Sequence, residues 1–231
     1  MRHTLLIPLV GPLQSWGSRS RFDDRDTHVE PTKSGVLGLV CAALGRPREA
    51  SLEDLDRLRF GVRVEEPGRL VVDYQTALGV VRAGGSGSST VTSRRHYLSD
   101  AVFLAGLEGG ESDLEGLRAV EAALRNPVWA LSLGRKSCPL TAPPYLPEGS
   151  LREGRTLLEA LTNEPWRPLR RPRRAGDRPE SLRVVFEDPD GPAVQSDRPQ
   201  SYADRRFGLR RIQSTMALMP TEEKPWFTYP N

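Results

Sequence analysis

The apolar run Leu5–Val10, LLIPLV, constrains this chain more than any other stretch. It is far shorter than the roughly 20 residues that span a bilayer. Pro8 interrupts it and Gly11-Pro12 ends it. No A-x-A-like cleavage site follows, so the run reads as a strand rather than a signal peptide. A short unbroken apolar run bounded by turn residues is the pattern of a buried strand. The 20 prolines and 21 glycines of the 231 residues predict many loops around such elements.

Further elements follow from local patterns. Val36, Leu37, Val40 and Leu44 share one helical face, which predicts a helix over Ser34–Leu44 stopped by Gly45. Phe60, Val62 and Val64 alternate with Gly61, Arg63 and Glu65, and Pro67-Gly68 precedes the apolar run Leu70–Tyr74. That predicts a hairpin. Residues 79–96 carry a Gly/Ser cluster at their middle and read as a flexible loop or a protruding two-armed ribbon. Tyr97–Leu107 predicts a strand. Ser112 and Glu115 have capping-box spacing ahead of a helix bearing Leu114, Leu117, Val120 and Leu124. Val128–Leu133 predicts another strand. Strand, helix, hairpin, strand, helix, strand suits an α+β split βαβ sandwich of the ferredoxin or RNA-recognition type. Later, Leu157, Leu158 and Leu161 suggest a short helix, and Leu182, Val184 and Phe186 a strand.

Two cysteines, Cys41 and Cys138, are too few for a disulfide framework or a Cys₄ zinc site, which favours a reducing cytoplasm. The three histidines show no metal-ligand spacing. Net charge is only +3, yet all but three of the 33 basic residues are Arg. Arginine matches phosphate with a planar fork and stacks on bases. The basic charge is concentrated late: residues 151–211 hold 14 Arg against 10 acidic residues. Within them, 165–179 interleaves six Arg with four Pro and cannot form a regular helix.

Three short motifs carry chemistry. GPLQSWG, 11–17, offers donors and acceptors at Gln14 and Ser15 and a stacking plate at Trp16. That mix suits a splayed base, or else a turn whose Trp folds back onto the core. PTKSGVLG, 31–38, puts Lys33 and Ser34 at a helix start, where free N–H groups attract phosphate. It lacks the glycine spacing of a Walker A loop, which rules out that nucleotide-hydrolysis motif. LGRKSCP, 133–139, is a compact basic turn. His28 in the polar loop 14–33, and His96 beside Arg94 and Arg95, are the candidates for general acid–base cleavage of RNA. No G-x-S-x-G elbow supports a serine triad.

Taken in order, GPLQSWG, PTKSGVLGLVCAALG, DYQTALG, YLSDAVFLAGLEG and LGRKSCPLTAPPY make the chain similar to the CasD family. These are CRISPR-associated subunits of the type I-E surveillance complex, Cascade. The resemblance covers roughly residues 4–162. It implies a modified ferredoxin-like or RNA-recognition-motif fold with a β-hairpin thumb and a small C-terminal β-rich subdomain. Mapped here, residues 1–150 form the RNA-recognition-like domain, with the thumb at about 79–97, and 151–231 the subdomain. It also implies a non-catalytic, cofactor-free cytoplasmic subunit that binds the 5′ handle of the CRISPR RNA. Its protein partners are then the backbone and large subunits, with target DNA met through the complex and no membrane contact. Gln14, Ser15 and Trp16 are expected to read or stack handle bases. Lys33 and Ser34 are expected to take phosphate, and Arg135, Lys136 and Ser137 to form a second cradle. Arg94 and Arg95 are expected at the handle–spacer junction, with Arg25 a further contact. Relatives in type I-C cut their own precursor RNA, so a metal-independent endoribonuclease is the alternative. A third reading is an Arg-rich adaptor with little sequence preference, which predicts a steep salt dependence.

Overall fold

The computed structural model describes residues 1–17, 24–82, 84–85, 87–168, 178–224 and 226. Arg19, Arg21 and most of the Arg/Pro stretch lie outside the described residues. The first strand, β1 (His3–Val10), is buried along its whole length. It pairs antiparallel with β7 (Val102–Gly109) on one side and β8 (Leu151–Glu153) on the other. Leu5, Ile7 and Leu9 pack into one apolar cluster, Leu6 and Val10 into a second. Successive strand side chains face opposite ways. The unalternated run of the sequence therefore reflects burial on both faces, each fully buried Leu or Ile contributing about 1.5–3 kcal/mol.

The first cluster lies beneath α1 (Lys33–Leu44) and α3 (Leu114–Arg125). The second lies beneath the short α4 (Leu157–Asn163). Beyond β7 come β4 (Arg59–Glu66), β9 (Ser181–Glu187), β11 (Arg206–Leu218) and β10 (Ala193–Ser201). The strands expected as a small C-terminal sheet thus extend the central one, giving seven strands in the order β10-β11-β9-β4-β7-β1-β8. Buried Arg63 of β4 ties α4 to this sheet. It donates to the carbonyls of Leu161, Glu164 and Pro165 and to the Glu65 carboxylate. Arg167, from the start of the Arg/Pro stretch, is also buried and reaches Glu148 and Glu164. No helix of the described residues is long and apolar enough to cross a membrane.

Several local expectations are corrected. Pro67-Gly68 does turn the chain, with Gly68 at φ 70°. It does not make a hairpin of β4 with β5 (Arg69–Val81). Both edges of β4 are taken, by β7 and β9, so β5 leaves the central sheet and pairs with β6 (Ser88–Ser99). The protruding ribbon therefore begins ten residues earlier than expected, at Arg69 instead of Gly79. Tyr97–Leu107 is two strands in two sheets, broken at Asp100, where φ is 54°. Asp113 caps the turn before α3, accepting from Gly110 N at 2.8 Å, in place of the Ser112 box. Val128–Leu133 is not a strand. Val128 and Trp129 donate their backbone N–H groups to Ala43 O and Ala42 O, satisfying the carbonyl end of α1.

Candidate nucleic-acid interface

At the base of the ribbon, β6 is flanked on its far edge by two short strands. β2 (Leu13–Gln14) pairs antiparallel at Leu98–Ser99, and β3 (Asp24–Arg25) runs parallel beside Arg94–Arg95. The turn 133–138 closes over them, with Ser15 N donating to Leu133 O at 3.1 Å. Motifs distant in sequence thus converge here: 11–17, 24–28, 94–97 and 133–138.

The side chains divide sharply by role. Gln14 is fully buried; its Nε2 donates to Leu9 O and Ala101 O, and its Oε1 accepts from the Trp16 indole at 3.0 Å. Trp16 is 1% exposed, its ring packed so close to α1 that a Cβ on Gly35 would sit 2.7 Å from it. Ser15 is buried and donates its hydroxyl to His96 O at 3.2 Å. As folded, GPLQSWG is therefore an internal splice and offers no base-stacking plate. Both Nε2 protons and the Oε1 of Gln14 are engaged inside the protein.

Lys33 is corrected in the same way. It is 2% exposed, and its Nζ donates to Asp56 O at 2.7 Å and Leu58 O at 2.8 Å and pairs with Glu187 at 3.0 Å. Burial pulls its ammonium below the usual lysine range, opposed by the charge of Glu187. The helix start does hold an anion, as the dipole favours, but the anion is Asp197. Its Oδ2 accepts from Lys33 N at 2.8 Å, and Arg210 grips the same carboxylate. Ser34 is buried, and its carbonyl accepts from the Tyr202 hydroxyl. The Lys33 amide and ammonium are thus already partnered inside the protein.

The exposed chemistry lies on β6, β3 and the turn. Arg94 is exposed and stands directly across from Tyr74 of β5, which is 62% exposed. Val72 and His96 form the next pair on that face, because alternate ladder pairs share one side. His96 Nε2 lies 4.0 Å from Asp24 Oδ1. Arg95 points to the opposite face, across from Asp73, with its Nε on Ser93 Oγ. The two arginines therefore do not act as one cradle.

Arg135 is a stitch rather than a free cation. Its guanidinium donates to His96 O, Arg25 O and Asp26 O and sits 4.9 Å from the Tyr97 ring centre. It holds β3 against β6. Lys136 and Ser137, next to it, are exposed, as is Arg25. His28 bridges Trp16 through its backbone. Among the described residues no group of three His, Cys, Asp or Glu could hold a metal ion. The sequence reading missed Tyr74 and Asp24. Tyr74 ends the apolar run Leu70–Tyr74, and the assumed β4–β5 pairing hid its exposure.

Gly134 makes the turn possible. Its φ is 86°, and a Cβ there would fall 1.7 Å from Ser15 O. Gly134→Ala should lower the unfolding midpoint, through at least the roughly 1–3 kcal/mol of a strained residue, and displace Lys136 with it. A wild-type midpoint for this variant would refute the close approach.

The sequence pattern of the family described as CRISPR-associated protein (Cas_Cas5) matches residues 4–213. This chain belongs to the Cas5 family. It is 36% identical over 159 residues to the CRISPR system Cascade subunit CasD of Escherichia coli (strain K12), covering 63% of this chain and 71% of that protein. A solved structure described as a crystal structure of a Cas protein superposes with TM-score 0.73 at 41% identity. It covers 94% of this chain and 97% of that one. A chain from a CRISPR RNA-guided surveillance complex superposes with TM-score 0.76 at 29% identity, covering 94% of this chain and 91% of its own. The exposed β5–β6 ribbon, the buried GPLQSWG splice and the basic turn all belong to the matched region.

Proposed function

We propose that this chain is a non-catalytic RNA-binding subunit of a Cascade-type surveillance complex and holds the 5′ handle of the CRISPR RNA. The observation that carries the reading is the convergence of the thumb base, β3 and the turn 133–138, with Arg94 exposed on one face of the sheet, Arg25 in register with Arg95 on the other, and Lys136 exposed on the turn. The relatives named above, a Cascade subunit and a chain of an RNA-guided complex, support it. The order β8-β1-β7-β4, with α1 and α3 over the same cluster, supports a ferredoxin-like core. On this reading residues 1–150 carry the RNA, and the C-terminal strands brace them.

Single-stranded RNA is read by stacking and base edges while cations hold its phosphates. Tyr74 stacks a handle base beside Arg94, which takes the adjoining phosphate. Lys136 and Ser137 hold the next stretch, and Arg25 and Arg95 serve the other face of the thumb. Arg135 is a positioning residue. Gln14, Ser15, Trp16, Lys33 and Ser34 contribute by building the platform rather than by touching RNA.

The test is binding of handle RNA and a scrambled RNA of equal length, in EDTA. Tyr74→Ala should lose about 1–3 kcal/mol of handle affinity. Lys136→Ala should weaken the handle more than the scrambled RNA. Equal losses on both would reduce the surface to a generic polycation, with its steep salt slope. A discrete cut in the repeat would overturn the non-catalytic reading and make His96, with Asp24 beside it, the first residue to replace.

A further inference from the structure

The face of the ribbon base that carries Tyr74 and Arg94 also carries a carboxylate. β3 runs parallel to β6 with Asp24 in register with Arg94, and Arg94 is paired in turn with Tyr74 of β5. Side chains in register on neighbouring strands share one face of a sheet, so Tyr74, Arg94 and Asp24 form a row across three strands. With strands about 4.8 Å apart, the row spans roughly 10 Å, within reach of a single nucleotide.

The Asp24 carboxylate is uncommitted. It is 71% exposed, and His96 Nε2 lies 4.0 Å from its Oδ1, too far for a hydrogen bond. Among the described residues it forms no ion pair with Arg94 or Arg25, although both are its near neighbours in the sheet. An anion set among cations that hold phosphate repels the backbone of a nucleic acid. Its place there has a use only if some part of the ligand brings donors to it.

We propose that Asp24 selects guanine at one position of the bound RNA, its two oxygens accepting from N1–H and the N2 amino group of the base stacked on Tyr74. This rests on the functional reading above and names the base that the surface reads. An ionised carboxylate only accepts hydrogen bonds. Guanine alone among the four bases places two donors side by side on its Watson–Crick edge. Adenine and cytosine set a ring-nitrogen acceptor beside the amino donor, and uracil flanks its one N–H with two carbonyls. Those acceptors are repelled by Asp24, so the residue works against the wrong bases as well as for the right one. Stacking, phosphate and base edge then fall to Tyr74, Arg94 and Asp24 in turn.

The test is selection from a randomised pool of short single-stranded RNAs by the full chain, followed by affinities of the selected RNA and its single-base variants. The wild type should enrich guanine at one position. Adenine there should cost at least about tenfold in affinity, and inosine, which keeps N1–H but lacks the amino group, a smaller factor. Asp24→Asn offers one acceptor and one donor. It should bind the guanine RNA at least about fivefold more weakly and the adenine RNA no worse than the guanine one. Charge alone predicts the reverse, since removing a carboxylate beside phosphates tightens every RNA. Asp24 is exposed, so the variant should keep the wild-type unfolding midpoint. Uniformly tighter binding by Asp24→Asn, or guanine enrichment that survives it, overturns the proposal. Equal affinity of the wild type for the guanine and inosine forms does so independently of any variant. RNA binding without guanine enrichment overturns the proposal and leaves the functional reading standing. A wild-type chain that binds neither the pool nor handle RNA overturns both.

Discussion

Trp16→Ala should lower folding stability by about 3–5 kcal/mol, which for a chain of this size shifts the midpoint by roughly 6–20 °C. The indole is 1% exposed, packs on Gly35 and donates to Gln14. Its removal leaves a cavity between β2 and α1 and an unsatisfied amide oxygen on Gln14. Trp16→Phe should recover the packing but not the hydrogen bond, and fall between the two. Handle affinity, measured well below the midpoint, should change far less than it does for Tyr74→Ala. Unaltered stability combined with a large loss of RNA affinity would return Trp16 to base stacking.

Lys33→Ala carries a comparable expected loss, about 3–5 kcal/mol, because it leaves buried groups without their counter-charge. Glu187 would keep the Arg210 guanidinium, 3.7 Å away, and its bond from Phe60 N. Asp56 O and Leu58 O would each lose a donor. Lys33→Met keeps the apolar stem and isolates the charge. Combined with Glu187→Gln, it should cost less than the sum of the two single changes, since contacting residues are not additive. Denaturant unfolding of the four proteins checks this. A Lys33→Met protein of normal stability that binds handle RNA poorly would restore the phosphate role.

These two residues locate the limit of what residue type reveals. PTKSG shows a helix start, and α1 does begin at Lys33 under a Thr32 cap that accepts from Gly35 N. What cannot be read there is that Asp197, far along the chain, already fills the anion site. GPLQSWG shows a turn with a donor-rich face; that Leu9 O, Ala101 O and the Gly35 surface of α1 draw that face inward cannot be read there.

The same division runs through the fold. The sequence by itself determined β1, α1, α3, α4 and β9, because each satisfies its hydrogen bonds locally or shows an apolar period or an unbroken apolar run that any burial would need. It also determined a basic turn, and left residues 79–96 as either a loop or a ribbon. It did not determine partners. Pro67-Gly68 looks like a hairpin turn whether or not its flanking strands pair, and β4 was lost to β7 and β9. Val128–Leu133 is apolar enough for a strand, yet its first amides go to the end of α1. Pairing of strands and the inside or outside placement of Trp16, Lys33 and Tyr74 are decided by segments far apart in the chain. Their contacts become favourable only once both sides are folded, so no local pattern records them.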